Sequence, residues 1–206
     1  MSRDILCVKR EELFKDKTFQ GFCPIKENDF IPTILEKLEY QDRTDELENN
    51  KEFQQIIPYV WIINPKTKKV FIYKRAKTGN EGRLYNKFSG GVGGHIDRDT
   101  EEHTKDPIAA AMMREMKEEV IMENYPSPKF IGFINDDSEE VGKVHFGVVA
   151  LAETTEDIKP AEDMAHGEFL LVDEIEKTFS NPENTIESWT QISWPFIKDY
   201  VKSRPE

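Results

Sequence analysis

Apolar positions recur along the chain in patterns that mark elements. Ile5–Val8 reads as a short strand. Over Phe30–Tyr40, Ile31, Ile34, Leu35 and Leu38 fall at helical spacing, and the charged stretch Gln41–Glu52 that follows reads as an exposed connector or helix. Pro58–Arg75 carries a β-hairpin: Tyr59–Ile63 form one buried run, Asn64-Pro65-Lys66-Thr67 supplies the turn, and Val70–Tyr73 returns. Thr78–Arg83 is a polar, glycine-containing loop and Lys87–Ile96 is glycine-rich. Asp106-Pro107 starts a helix to about Met122, since Asp caps well and Pro is preorganised for the first turn. Phe130–Ile134, Val144–Ala152 and Glu168–Val172 read as strands. Asn184–Lys202 is a terminal helical region with Ile186, Trp189, Ile192, Phe196, Ile197 and Tyr200 inward and Pro195 kinking or splitting it. Strands and helices interleave and some strands form hairpins, so the fold class is α/β (α+β), a mixed sheet with helices on its faces.

Length and composition narrow the picture. The 206 residues suggest one domain with an elaboration, able to bury a core without disulfides. The 28 Lys+Arg against 40 Asp+Glu give a net charge of −12, which repels nucleic acid and anionic membrane but allows a small anion bridged by a metal. Cys7 and Cys23 form no framework and read as ordinary thiols of a reducing compartment. Met1–Arg10 is charged throughout, unlike a signal peptide, and the longest apolar run, Phe146–Ala152, is far below the ~20 residues of a membrane span. The expectation is a soluble cytoplasmic protein.

The candidate chemistry lies in Ala109–Met122. At about 100° per residue, Glu115, Glu118 and Glu119 share one arc of a helix, beside an apolar arc of Ala109, Met112, Met113, Met116 and Val120. Three carboxylates so close repel one another unless a cation sits among them, and hard oxygen donors suit Mg²⁺ or Mn²⁺. Arg114 precedes Glu118 by one turn and can hold a carboxylate. A salt-bridged surface helix would show the same run of charge. The glycine-rich stretch Ser89–Gly94 upstream permits close approach of backbone to a ligand.

A glycine-rich loop followed by a helix with R-E-apolar-x-E-E resembles the box of the Nudix hydrolase family, G-x5-E-x7-R-E-U-x-E-E-x-G-U, where U is a bulky apolar residue. Arg114-Glu115-Met116-Lys117-Glu118-Glu119-Val120-Ile121-Met122 matches except that Ile121 replaces the late glycine. Gly93-Gly94 resemble the opening glycine pair, but Gly94 stands 20 residues before Arg114 where the pattern has 14. The six extra residues are assigned to Arg98–Lys105, which puts Asp106 at the place of the first box Glu and Asp97 where many members carry an acid. Gly167–Glu174 resembles the late strand of these folds.

The resemblance covers about residues 55–200 and implies an α/β/α sandwich over 55–206 with residues 1–54 as an N-terminal extension for packing or dimerisation. It implies a pyrophosphatase-type reaction, with Mg²⁺ or Mn²⁺ on Glu115, Glu118, Glu119 and the Gly93 carbonyl, and with Arg114 orienting Glu115. It also implies that Gly93, Gly94 and His95 approach substrate, although a lone His is more often structural. The general base is left open among Glu162, Asp163, Glu139 and Glu140, with Glu162 the first choice. The partner is a nucleoside-diphosphate derivative, and a homodimer is expected by analogy. Two other readings are a non-catalytic nucleotide-binding module and an isopentenyl-diphosphate isomerase-like enzyme. The latter needs a cysteine near Phe88–Ile96, where there is none. Trp61, Trp189 and Trp194 read as core or interface residues.

Overall fold

The computed structural model describes residues 3–75, 87–161 and 164–204. Its strands are β1 (Asp4–Lys9), β2 (Gly21–Pro24), β3 (Glu39–Asp42), β4 (Phe53–Asn64), β5 (Lys69–Arg75), β6 (Phe88–Ser89), β7 (Gly91–Val92), β8 (Val120–Ile121), β9 (Lys129–Asn135), β10 (His145–Glu153), β11 (Lys159–Pro160) and β12 (Met164–Leu171). Its helices are α1 (Arg10–Leu13), α2 (Ile31–Lys37), α3 (Arg98–Glu101), α4 (Pro107–Glu119), α5 (Val172–Ser180) and α6 (Ser188–Lys202). The class is α+β, a mixed sheet with helices, as the interleaved pattern predicts. The chain divides into two compact units: Met1–Tyr59, Gly93–Met112 and Phe130–Ala150 make the first, and Val60–Val92, Met113–Lys129 and Leu151–Glu206 the second. The predicted loop Thr78–Arg83 lies outside the described residues.

In the first unit, Ile5, Leu6, Cys7 and Val8 are fully buried, as an unbroken apolar run requires of a strand covered on both faces. This β1 pairs antiparallel with β3 (Leu6↔Tyr40) and with the start of β4 (Cys7↔Gln55). The pairing with β3 ends the preceding helix early. The apolar spacing runs to Leu38, but α2 stops at Lys37 and Tyr40 is in a strand, because ladder bonds to β1 outweigh local periodicity. Of the expected inward positions, Ile34 is fully buried and Leu35 is exposed. The charged connector holds one apolar anchor, Leu47, buried in a 3-10 turn against Ile5 and Cys7. A strand that the pattern did not mark, β2, pairs with β9 (Cys23↔Phe133). The stretch assigned to the extra residues begins with the single turn α3.

In the second unit, the β4–β5 hairpin closes at Ile63↔Val70 and Asn64↔Lys69. Asn64 Oδ1 accepts from the backbone N–H of Lys66 and of Thr67, both at 3.1 Å, and Lys68 takes a left-handed φ of 54°. β12 runs the length of β5, from Met164↔Arg75 to Leu171↔Lys69. It starts before the predicted Glu168 and ends before Val172, which opens α5 instead. That helix was not expected; it is held by Ile175 and Val172 in the core and by a bond from Leu171 N–H to Glu174 Oε2. α6 is continuous through Pro195. Its buried face carries Thr190, Ser193, Trp194, Ile197 and Val201, so Phe196, expected inside, is outside. The tryptophan expectation holds for Trp61 and Trp194: their rings lie 6.0 Å apart, and Trp61 Nε1 donates to Ser193 Oγ at 3.1 Å. No helix among the described residues is long and apolar enough to cross a membrane.

Candidate functional site

The start of α4 follows from local chemistry. Asp106 Oδ1 accepts from the N–H of Ile108 (3.1 Å) and of Ala109 (3.0 Å), satisfying donors the helix itself cannot. The helix ends at Glu119 rather than near Met122, because β8 pairs with β11 (Val120↔Pro160) and the Glu119 carbonyl accepts from Ala161 N–H.

The buried stripe of α4 is rotated from the expected one. Ile108, Ala111, Met112, Met116 and Val120 are fully buried, whereas Ala109 and Met113 are half-buried. Glu115 falls inside that stripe, at the position where another apolar residue would continue it, and is only 6% exposed. Burial pushes its carboxyl up to about 7, Glu118 and Glu119 add to the rise, and Arg114 opposes it. Arg114 Nη1 donates to Glu115 Oε1 at 2.6 Å and to Glu118 Oε2 at 3.0 Å. Glu118 is exposed and Glu119 half-buried. One helix end therefore joins a buried, proton-retaining carboxylate to two more accessible ones, with one guanidinium between.

Gly93, Gly94 and His95 belong to the first unit. Two glycines of the Ser89–Gly94 stretch have packing reasons to be glycine. A Cβ on Gly90 would stand 2.1 Å from the Trp61 ring, and one on Gly93 would stand 1.8 Å from the Pro58 carbonyl oxygen. His95 Nε2 lies 2.7 Å from Gln55 Oε1. Of the base candidates, Glu162 and Asp163 lie outside the described residues. Glu139 is exposed. Glu140 is ion-paired with Lys143 (2.5 Å) and Lys51 (3.0 Å), whose hydrogen bonds hold its carboxyl below the usual range.

Two constellations escaped the sequence reading. Glu187, buried in the second unit, accepts from Ser89 Oγ (2.5 Å) and Thr190 Oγ1 (3.2 Å), and Thr190 Oγ1 in turn accepts from Gly90 N–H (2.9 Å). In the first unit, Glu48, His95 and His145 bring one ligand atom each within 4.8 Å of the others. Neither group has a local signature, since its members are scattered along the chain.

No family model matches the sequence. Protein YmaB of Bacillus subtilis is 32% identical over 214 residues, covering 98% of each chain. The structure of Tm1382, an inferred Nudix hydrolase, superposes with a TM-score of 0.74 at 27% identity, over 96% of this chain and 99% of that one. The chain has the Nudix fold. More distant Nudix structures share the fold alone. The Nudix hydrolase of Alicyclobacillus acidocaldarius has a TM-score of 0.53 at 13% identity, over 73% of this chain and 92% of that one. The Nudix domain of Shewanella oneidensis NrtR, complexed with ADP ribose, has a TM-score of 0.52 at 10% identity, over 72% and 88%. The Nudix fold expected from the α4 sequence is thus the one observed, although the six-residue insertion interrupts the box. The isomerase-like reading gains nothing: Cys7 is buried in β1, Cys23 is buried in β2, and burial pushes the Cys7 thiol up to about 12.

Proposed function

We propose that this Nudix-fold protein is a metal-dependent hydrolase that cleaves the diphosphate linkage of a nucleoside-diphosphate derivative by attack of water on phosphorus. The observation that carries the reading is Glu115, buried in the apolar stripe of α4 yet bonded to Arg114 beside Glu118 and Glu119. Burying an acid there costs stability, which a purely structural helix would avoid with an apolar residue.

The donor set fits Mg²⁺ or Mn²⁺. Glu115, Glu118 and Glu119 offer hard oxygen ligands only, and their mutual repulsion is what a divalent ion relieves. When bound, such an ion lowers the pKa of its water and offsets the charge of a diphosphate. The side chains do the rest. Arg114 fixes the rotamer of Glu115 and keeps one face of Glu118 engaged. The buried position of Glu115 keeps competing water from its inner oxygen. Glu162, on the segment before β12, is the proposed proton acceptor. In a chain of net charge −12, such a cation offsets the repulsion of an anionic substrate. The bound ADP ribose of the NrtR domain supports a nucleotide-like ligand.

The test is product release from a panel of nucleoside-diphosphate derivatives with Mg²⁺ or Mn²⁺. Glu118→Gln should lower turnover by ~100-fold or more while leaving the thermal midpoint unchanged, since that side chain is exposed. Full turnover in Glu118→Gln, or turnover without a divalent ion, overturns the assignment. Tight nucleotide binding without turnover would favour the binding-module reading.

A further inference from the structure

Glu48, His95 and His145 form a second ligand-type cluster, built within the first unit. Glu48 comes from the 3-10 turn Leu47–Asn49, His95 from the segment after β7, and His145 from the first position of β10. His145 is buried and the other two are half-buried, so this is no chance meeting of long exposed side chains.

The outer contacts decide what the cluster can do. His145 Nδ1 lies 2.6 Å from the Val141 carbonyl oxygen. A carbonyl only accepts, so Nδ1 carries the proton, and in the neutral ring the lone pair sits on Nε2. His95 Nε2 lies 2.7 Å from Gln55 Oε1, also an acceptor, which places the lone pair of that ring on Nδ1. Glu48 Oε1 accepts from Arg43 Nε at 2.9 Å, which holds the carboxylate in place. Each of the three is thus anchored by one atom from behind, the way metal-ligating side chains are supported.

The spacing agrees. Two donor atoms each about 2.0–2.2 Å from one ion stand at most about 4 Å apart. The three ligand atoms, all within 4.8 Å of one another, are a small side-chain adjustment from closing on an ion. Two imidazoles and one carboxylate favour zinc or a neighbouring late first-row ion over magnesium, in contrast to the all-carboxylate set of α4.

We propose that Glu48, His95 and His145 bind a late first-row divalent ion of the Zn²⁺ type, separate in donor chemistry from any Mg²⁺ or Mn²⁺ held by α4. Three protein ligands leave a fourth position for water or an anion. The proposal does not depend on the hydrolase reading.

The experiment is titration of the metal-stripped full chain with Co²⁺ as a visible-absorbing probe, then displacement by Zn²⁺. One equivalent of Co²⁺ should give intense ligand-field bands that Zn²⁺ removes. His145→Gln and Glu48→Gln should weaken this binding by ~100-fold or more, whereas Glu118→Gln and the exposed His166→Gln should leave it unchanged. Circular dichroism and thermal melts establish that each variant is folded, and His95→Gln replaces any that is not. A Zn²⁺-induced rise in melting temperature should survive in Glu118→Gln and vanish in His145→Gln. Absence of Co²⁺ bands in the wild type, equal affinity in the folded cluster variants, or loss confined to Glu118→Gln overturns the proposal.

Discussion

The Arg114 guanidinium donates through one nitrogen, Nη1, to two carboxylates: Glu115 beside it in sequence and Glu118 one turn on. Neighbouring residues on a helix diverge by about 100°, so Arg114 has to bend across the helix surface to reach Glu115. That contact opposes the burial that otherwise drives the Glu115 carboxyl towards its neutral form. Arg114→Met should therefore raise the proton affinity of Glu115 beyond its present value of about 7 and weaken Mn²⁺ binding at pH 7 by roughly 10–100-fold. The loss should shrink at pH 9, where Glu115 ionises regardless. Arg114→Lys keeps the charge without the planar fork and should recover only part. Calorimetric titration with Mn²⁺ at the two pH values measures this; unchanged affinity in Arg114→Met would remove Arg114 from the proposed site.

Glu115 also predicts a pH dependence of stability. Its folded-state value of about 7 lies above the ordinary 4.5, so the folded chain binds this proton more tightly than the unfolded chain does. The stabilising contribution is full below the unfolded value and is lost as pH rises through about 7. Between pH 6 and pH 8 the loss is about 1.4 kcal/mol, or roughly 3–6 °C in melting temperature for a chain of this size. Melts of wild type and Glu115→Gln at both pH values isolate it. The variant should lack this component, and saturating Mn²⁺ should restore most of it to the wild type at pH 8. Parallel profiles for the two proteins would mean that Glu115 is ionised throughout.

How far the sequence could be read tracks how local each determinant is. The β4–β5 hairpin was legible because the apolar run Tyr59–Ile63, Asn64 and the turn residues all act within a few positions. The start of α4 was legible from Asp106-Pro107, whose capping acts within three residues. What failed was decided at long range. α4 ends at Glu119 because Val120 and Ile121 pair with Lys159 and Pro160, and α2 ends at Lys37 because β1 captures the next residues. The rotation of the buried stripe onto Glu115 depends on what the helix packs against, which period cannot reveal. Glu48, His95 and His145 meet across two gaps of about fifty residues, with no spacing rule to announce them.

Two glycines separate steric from conformational need. A Cβ at Gly93 would meet backbone, the Pro58 carbonyl oxygen at 1.8 Å and its carbon at 2.8 Å, and β4 cannot yield without breaking its ladder. Gly21 has open space but a φ of +89°, so a side chain there costs only the left-handed penalty of about 1–2 kcal/mol. Gly93→Ala should destabilise by more than Gly21→Ala, on the order of 3 kcal/mol or above, like other severe backbone clashes. Urea unfolding of both variants tests the order. A mild Gly93→Ala would show that the segment before His95 can shift, which would favour a ligand-contact role over a packing role for that glycine.

Pro195 lies in the middle of α6, exposed between the buried Trp194 and Ile197. Lacking an N–H, it deprives the Gln191 carbonyl of its usual helical donor, and its ring presses on the same turn. Proline in a helix interior costs about 3 kcal/mol relative to alanine, offset by up to about 1 kcal/mol because it also restricts the unfolded chain. Solvent reaches this face and relieves part of the remainder. Pro195→Ala should therefore stabilise the protein by about 1–2 kcal/mol, a rise of roughly 2–8 °C in melting temperature. A fall instead would mean that the backbone geometry Pro195 imposes on α6 seats Trp194 against Trp61 and Ser193 against the Trp61 indole N–H, so that replacing it costs core packing. Near-ultraviolet circular dichroism, which reports the paired indoles, distinguishes the two results: it should be unchanged if the helix merely gains a hydrogen bond.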